Sequence, residues 1–182
     1  MKPIVIKPIV IKQCFGFLLI TAAVVLWAQR PAPPPVDEKL PLPPIEQPLP
    51  FSHKAHSASG LSCKDCHKIA EPGYQAGFPS EATCMACHVS IKKESPAIQK
   101  LASLAKAKQK IVWKKIYNIP EYVWFSHASH AVDAKIACET CHGPVSEREV
   151  LFKEKPTNMT SCMRCHAQHG APNGCDFCHN TQ

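Results

Sequence analysis

Five short segments of the chain carry the same residues, two cysteines separated by two positions and followed directly by a histidine. Such cysteines lie about one helical turn apart, so both thiols can reach the vinyl groups of one haem, and the histidine is then placed beneath the iron. Spacing, order and terminal histidine are all required, and all five segments have them. The pattern predicts five covalently attached haem c groups, bound through Cys63, Cys66 and His67; Cys84, Cys87 and His88; Cys138, Cys141 and His142; Cys162, Cys165 and His166; and Cys175, Cys178 and His179.

The main alternatives for such cysteines are zinc binding, disulfide bonds and thiol redox chemistry. Tetrahedral zinc would pair the cysteine segments, and five segments leave one without a partner. None of the three alternatives explains why a histidine follows every second cysteine. We therefore favour haem attachment. The eleventh cysteine, Cys14, belongs to no motif and is interpreted as an apolar residue of the N-terminal segment.

Ten histidines are present, so five remain after each motif has used one. Four of these form two pairs with a spacing of three, which places each pair on one face of a helical turn. Each iron has a single axial position left, so the members of a pair should serve two different haems and draw them together. His169 is then predicted to close the fifth iron, the alternatives being a solvent-exposed histidine with Met159 or Met163 as the ligand. The predicted second ligands are His53, His56, His127, His130 and His169.

This ligand count bears on the type of function. An enzyme needs an open iron position for its substrate, and here the spare histidines are enough to close all five irons. No motif has lysine in place of its histidine. The chain is therefore predicted to be an electron carrier with no catalytic residues. The alternatives are a soluble periplasmic carrier and a multihaem reductase with one open haem.

The elements that must position these residues occur twice. A Phe-Ser-His-x-x-His segment begins at Phe51 and again at Phe125, and two attachment motifs follow each copy. We call residues 51–94 the first repeat and residues 125–170 the second repeat. Residues 95–124 connect them, and residues 171–182 add the fifth motif.

Short helices rather than strands are expected to carry the motifs, since no long alternating apolar pattern occurs. The connector should contain a helix over Ser95–Lys110, because Ser95 suits an N-cap and Pro96 the first helical position. The predicted fold is mostly irregular with short α-helices, a haem-packed core and little or no β-sheet. Several aromatic residues are expected to pack on haem faces, with a partner-docking surface as the alternative. They are Phe51, Trp113, Tyr117, Tyr122, Trp124 and Phe125.

The N-terminal part is expected to lie outside the haem domain. Residues 1–30 contain three lysines followed by an uncharged apolar stretch, which predicts a signal-anchor or transmembrane segment in the bacterial inner membrane with the haem domain in the periplasm. A cleaved signal peptide is the alternative. Residues 31–50 contain nine prolines and are interpreted as a stiff extended linker, or as a linker of no fixed role. Residues 51–182 are the pentahaem domain.

The charge balance does not suggest nucleic-acid binding. The formal net charge is +7, part of which lies in the N-terminal segment, and haem propionates would offset the rest. Redox proteins and the membrane are the expected partners.

The Phe-x-His-x-x-His segment followed by the attachment motif resembles the class III multihaem cytochromes c, which are small bis-histidine electron carriers. In that family the first histidine of the pair serves the haem that follows it, and the second serves a later haem. The resemblance therefore implies that His53 serves the Cys63 haem and His56 the Cys84 haem. In the second repeat it assigns His127 to the Cys138 haem and His130 to the Cys162 haem.

A narrower resemblance is to the pentahaem subunits of bacterial alternative complex III, a quinol:cytochrome c oxidoreductase. It rests on the five motifs, the N-terminal apolar segment, Trp113–His130 and the run from Cys141 to Val145. It implies a membrane-tethered relay from a quinol-oxidising membrane complex to a cytochrome c or other redox protein.

Overall fold

The structure is a computed structural model and describes residues 39–179. The predicted N-terminal segment 1–30 and the start of the linker lie outside the described residues. Within residues 39–179, none of the helices combines the length and the apolar character that crossing a membrane requires.

The described residues form short helices joined by irregular segments. No strand is present in this part of the chain, where β-pairing is limited to isolated bridges between Ile69 and Ala76 and between Val123 and His179. This confirms the predicted fold class. The α-helices are α1 (His53–Ala58), α2 (Cys63–Cys66), α3 (Glu81–His88), α4 (Pro96–Lys106), α5 (Cys138–His142) and α6 (Met159–His169), with a π-helix at Ala128–Asp133 and 3₁₀ turns at Val145–Glu147 and Cys175–Phe177.

Side chains immediately before the helices start them. The Ser52 hydroxyl accepts a hydrogen bond from Ala55 N at 2.9 Å, and the Asn158 side chain accepts one from Ser161 N at 3.0 Å. Such caps satisfy backbone N–H groups that have no partner within the helix. The helices that contain ligand residues therefore begin at positions set by the local sequence.

The connector helix α4 confirms the prediction at its start but ends earlier than predicted. Lys108 adopts a φ of 55°, its N–H donates to Ala105 O, and Gln109 N donates to Leu104 O. These two bonds and the left-handed residue form a Schellman motif, which closes a helix. The predicted C-terminal end at Lys110 was therefore four residues too late.

Residues 39–50, the described part of the proline-rich segment, pack on the part of the chain that follows them. Leu49 is buried, and Leu42 N donates to Lys153 O at 2.8 Å. The Gln47 side chain forms two hydrogen bonds with the backbone of Lys114. Proline excludes helix and sheet here, but it leaves the extended chain free to bond through its remaining polar groups.

The side chains alone form almost no core. Among the described residues, only the hydrophobic side chains of Leu49 and Leu101 are buried. Many large apolar side chains remain exposed, Tyr122, Trp124 and Phe177 among them. Apolar surface of this extent is available to pack against bound haem.

Candidate haem sites

The attachment motifs lie on short helical segments. The first two cysteines occupy α2, and the third motif occupies α5. The second motif ends α3, the fourth lies in the middle of α6, and the fifth begins in a 3₁₀ turn. The ten cysteines within residues 39–179 are free of disulfide bonds, and this part of the chain contains no cluster of three or more metal-ligating side chains. The arrangement therefore offers no zinc site in the described part of the chain.

Eight of the ten histidines face one another in four pairs, each joining the histidine of one motif to one of the spare histidines. A metal–imidazole bond of about 2 Å, with the ring centre about 1.2 Å behind the nitrogen, places two imidazoles on one iron with centres about 6.4 Å apart. The observed separations match this value. The ring centroids lie 6.4 Å apart for His53 and His67, 6.1 Å for His56 and His88, 6.4 Å for His127 and His142, and 6.0 Å for His130 and His166.

Seven of the histidines place Nδ1 against a backbone carbonyl oxygen. A carbonyl only accepts, so Nδ1 carries the proton and Nε2 presents its lone pair, as in metal-ligating histidines. The acceptors are Ser52 O for His56, Gly77 O for His67, Ile91 O for His88, Tyr74 O for His127, Ser126 O for His130, Pro172 O for His166 and Tyr122 O for His179.

Burial favours the neutral form of two further histidines. Burial lowers the pKa of His53 to about 4, with smaller contributions from His67 and His56. Burial also lowers the pKa of His142. Neutral imidazole is the form that binds iron. The buried His53 Nδ1 has no hydrogen-bond partner, unlike that of its counterpart His127.

Phe51 and Phe125 each contact the two spare histidines of their own Phe-Ser-His-x-x-His segment. The Phe51 ring stacks on His56 at 4.3 Å and meets His53 edge-on at 4.8 Å. Phe125 repeats this arrangement with His130 at 4.6 Å and His127 at 4.9 Å. Each phenylalanine therefore contacts both candidate ligands of its own segment. The sequence predicts these rings on haem faces and does not predict their contact with the histidines; the Phe-x-His-x-x-His spacing, present in both copies, is the signal for it.

Tyr117 supports the third site through its hydroxyl group, a role that its place among the aromatic residues did not indicate. Its ring lies edge-on to His142 at 4.6 Å, and its hydroxyl donates to His142 O at 3.2 Å. The Tyr117 hydroxyl oxygen in turn accepts a hydrogen bond from Glu154 N at 3.1 Å. Tyr117 thus ties the third motif to the chain that follows it.

The fifth motif differs from the others. His179 lies beside Tyr122, with ring centroids 6.0 Å apart, and its Nδ1 faces the Tyr122 carbonyl oxygen at 3.4 Å. His169, at the end of α6, is exposed and has no ring contact with His179 or with any other residue in 39–179. All ten histidines lie within the described residues, so His179 has no histidine opposite it here. Ligation of the fifth iron by His169 stays a prediction.

Two comparisons with known proteins identify relatives of the chain. The sequence pattern of the family described as Cytochrome c3 matches residues 55–150, which include the first three attachment motifs. The chain is also similar to the protein named "Menaquinone reductase, multiheme cytochrome c subunit" from Nitratidesulfovibrio vulgaris. The two are 30% identical over 161 residues, which cover 74% of this chain and 77% of that protein.

Proposed function

The chain belongs to the cytochrome c3 family, and on that premise we propose that it binds five haem c groups and relays electrons between a quinone-linked membrane complex and a cytochrome c. Family membership makes it a multihaem electron-transfer protein rather than an enzyme in its own right. The four facing histidine pairs support the proposal most strongly, because the separation of the two rings in each pair fits two axial ligands on one iron.

Each site combines residues from separate elements. His67, held by its bond to Gly77 O, would bind the first iron from one side, and His53 would bind it from the other. The remaining pairs serve the second, third and fourth sites in the same way. Haem supplies a one-electron Fe(III)/Fe(II) couple when bound. The paired histidines would leave these four irons no open position, which suits electron transfer and excludes substrate from the metal.

The relative's name supports the choice of partners. That protein is called a subunit of a menaquinone reductase, and the resemblance to alternative complex III also implies a quinone-linked complex. We propose that this chain is a subunit of such a complex and exchanges electrons with a cytochrome c or another redox protein. The finer assignment to alternative complex III rests on the five motifs, the N-terminal apolar segment, Trp113–His130 and the run from Cys141 to Val145.

We further propose that residues 1–30 anchor the chain in the inner membrane. The lysines before the apolar stretch favour this orientation, with the haem domain in the periplasm. The full-length chain should remain in the membrane fraction after a high-salt wash. A variant in which residues 1–30 are replaced by a cleavable signal peptide should be released as a soluble protein, and this is the control. A wild-type chain found in the soluble fraction and beginning near residue 29 would contradict the anchor.

A second candidate function follows from the fifth site. His179 has no histidine facing it within residues 39–179, so an open iron there would suit a reductase that binds a small substrate. The proposed closure by His169 and this open site differ in the spin state of one haem, because an iron with one axial position free is high-spin.

Haem count and spin state test the proposal together. The mass of the purified protein should correspond to five attached haems, and its low-temperature EPR spectrum in the oxidised form should contain only low-spin ferric haem. His169→Ala should then convert one of the five to high-spin, whereas Gln168→Ala, a neighbour on the same helix, should change nothing. Fewer than five haems would contradict the proposal. A high-spin haem already present in the wild-type protein would favour the second candidate.

A further inference from the structure

The two repeats contact each other through equivalent residues. Positions in the histidine segments are offset by 74 between the copies, and positions in the first motif and the loop after it by 75. Lys54 N donates to Arg148 O at 3.1 Å, and Ala128 N donates to Gly73 O at 3.0 Å. Lys54 corresponds to Ala128, and Gly73 to Arg148. The two hydrogen bonds are therefore the same contact, formed once in each direction.

Neighbouring contacts repeat this exchange. The Ser52 hydroxyl donates to the Glu149 carboxylate at 2.6 Å, and its counterpart Ser126 donates to Gly73 O at 3.4 Å. The histidine segment of each repeat thus lies against the loop that follows the first motif of the other repeat. A contact in which residue i of one copy meets residue j of the other, and j meets i, is the property of a twofold axis. The duplicated chain has folded as an internal pseudo-dimer.

Residues close to such an axis meet their own counterparts. Cys63 and Cys138 are equivalent positions, and so are Lys64 and Glu139. A cavity of about 480 Å³ is lined by Cys63 and Lys64 together with their counterparts Cys138 and Glu139. The first site of each repeat therefore lies next to the pseudo-twofold axis.

The other motifs lie farther from the pseudo-twofold axis. Phe51 contacts both His53 and His56, so the Cys63 and Cys84 sites whose histidines they face are neighbours. Phe125 contacts both His127 and His130, which makes the Cys138 and Cys162 sites neighbours in the same way. The segment that leads to the fifth motif lies against the fourth, because His166 Nδ1 donates to Pro172 O at 2.7 Å. In addition, Asn173 Nδ2 donates to Met163 O at 2.8 Å.

We propose that the five haem sites form one unbranched chain in the order Cys84, Cys63, Cys138, Cys162, Cys175, with the pseudo-twofold axis between the Cys63 and Cys138 sites. The order differs from the order along the sequence, and it rests on the proposed function. The Cys84 and Cys175 sites are its two ends, where electrons enter and leave. Each step along it moves one electron from a ferrous haem to its ferric neighbour, with no bond made or broken. The donor and the acceptor are one-electron redox proteins.

The order can be tested in the full-length holoprotein by raising the reduction potentials of two haems at a time. Methionine in place of a distal histidine raises the reduction potential of that haem, so His53→Met and His127→Met tag the two central sites. In the double variant, the electron on the first tagged haem repels the second. The second haem should therefore have a lower reduction potential in the double variant than in its single variant. The matched control is His56→Met with His130→Met, which tags the equivalent outer sites.

The outcomes separate the alternatives. In the His53→Met, His127→Met double variant, we expect the two raised reduction potentials to differ by more than the single variants predict. In the His56→Met, His130→Met double variant, we expect the two raised potentials to equal those of the single variants. Extra splitting in the outer pair, or equal behaviour of both pairs, would overturn the order. If a variant fails to mature, anomalous scattering from the five irons in crystals of the wild-type holoprotein gives the order directly. Five haems in another order would refute this inference alone, whereas fewer than five would refute the proposed function.

Discussion

Replacing Gly73 with alanine should destabilise the protein strongly and disturb the third haem site. Gly73 has a φ of 84°, and a Cβ added there would lie 2.5 Å from the Cβ of Ala128. Ala128 follows the candidate ligand His127, whose Nδ1 donates to Tyr74 O at 2.9 Å. The added methyl must push the loop away from the histidine segment. It would break the hydrogen bond between Ala128 and Gly73 and rotate His127.

Gly60→Ala is the matched control for this prediction. Gly60 has nearly the same backbone angle, a φ of 86°, but nothing lies within 4 Å of the position that its added methyl group would take. Both variants carry the cost of a left-handed alanine, roughly 1–2 kcal/mol. Only Gly73→Ala adds an overpacking cost of roughly 1–3 kcal/mol. Thermal unfolding of the holoproteins should show a larger loss for Gly73→Ala, accompanied by a change in one haem spectrum. Equal losses without a spectral change would show that the contact between the repeats is not tight.

The attachment chemistry could be found from the sequence because each motif lies within five consecutive residues. The start of the connector helix could be predicted for the same reason, because Ser95 and Pro96 lie at the end that they begin. The histidine pairing came from the family resemblance together with the repeat. The structure brings each assigned pair together, for example His56 and His88 at 6.1 Å, although ligation itself stays a proposal.

What the sequence left open depends on contacts between distant residues. Nothing in the proline pattern showed that Gln47 would bond to Lys114, 67 positions away. Nothing in the repeat showed whether the copies would lie apart or exchange contacts through Gly73 and Ala128. His169 has no counterpart in the repeat, so neither the duplication nor the resemblance located its partner. The open questions therefore concentrate where the internal duplication ends.

Removing the haem attached at Cys63 and Cys66 should abolish folding, whereas removing the fifth haem should not. Leu49 and Leu101 are the only buried hydrophobic side chains within residues 39–179. Each contributes roughly 1.5–3 kcal/mol, while ordering the backbone of one residue costs roughly 1–2 kcal/mol. The described side chains therefore cannot offset the entropy of folding, and haem must supply most of the buried area. The Cys63 site lies where both repeats meet, so its haem should contribute to both.

The test compares two matched double substitutions. Cys63→Ser with Cys66→Ser removes the attachment at the centre, and Cys175→Ser with Cys178→Ser removes it at the end of the chain. The central variant should give little protein and no cooperative thermal transition by circular dichroism, as should the chain produced without any haem. The terminal variant should keep four haems and a cooperative transition at a lower temperature. The fifth motif also contacts the connector, where Trp124 N donates to Cys178 O at 2.8 Å, a bond that lies outside both repeats. A cooperative transition in haem-free protein would show that side-chain packing alone specifies this fold.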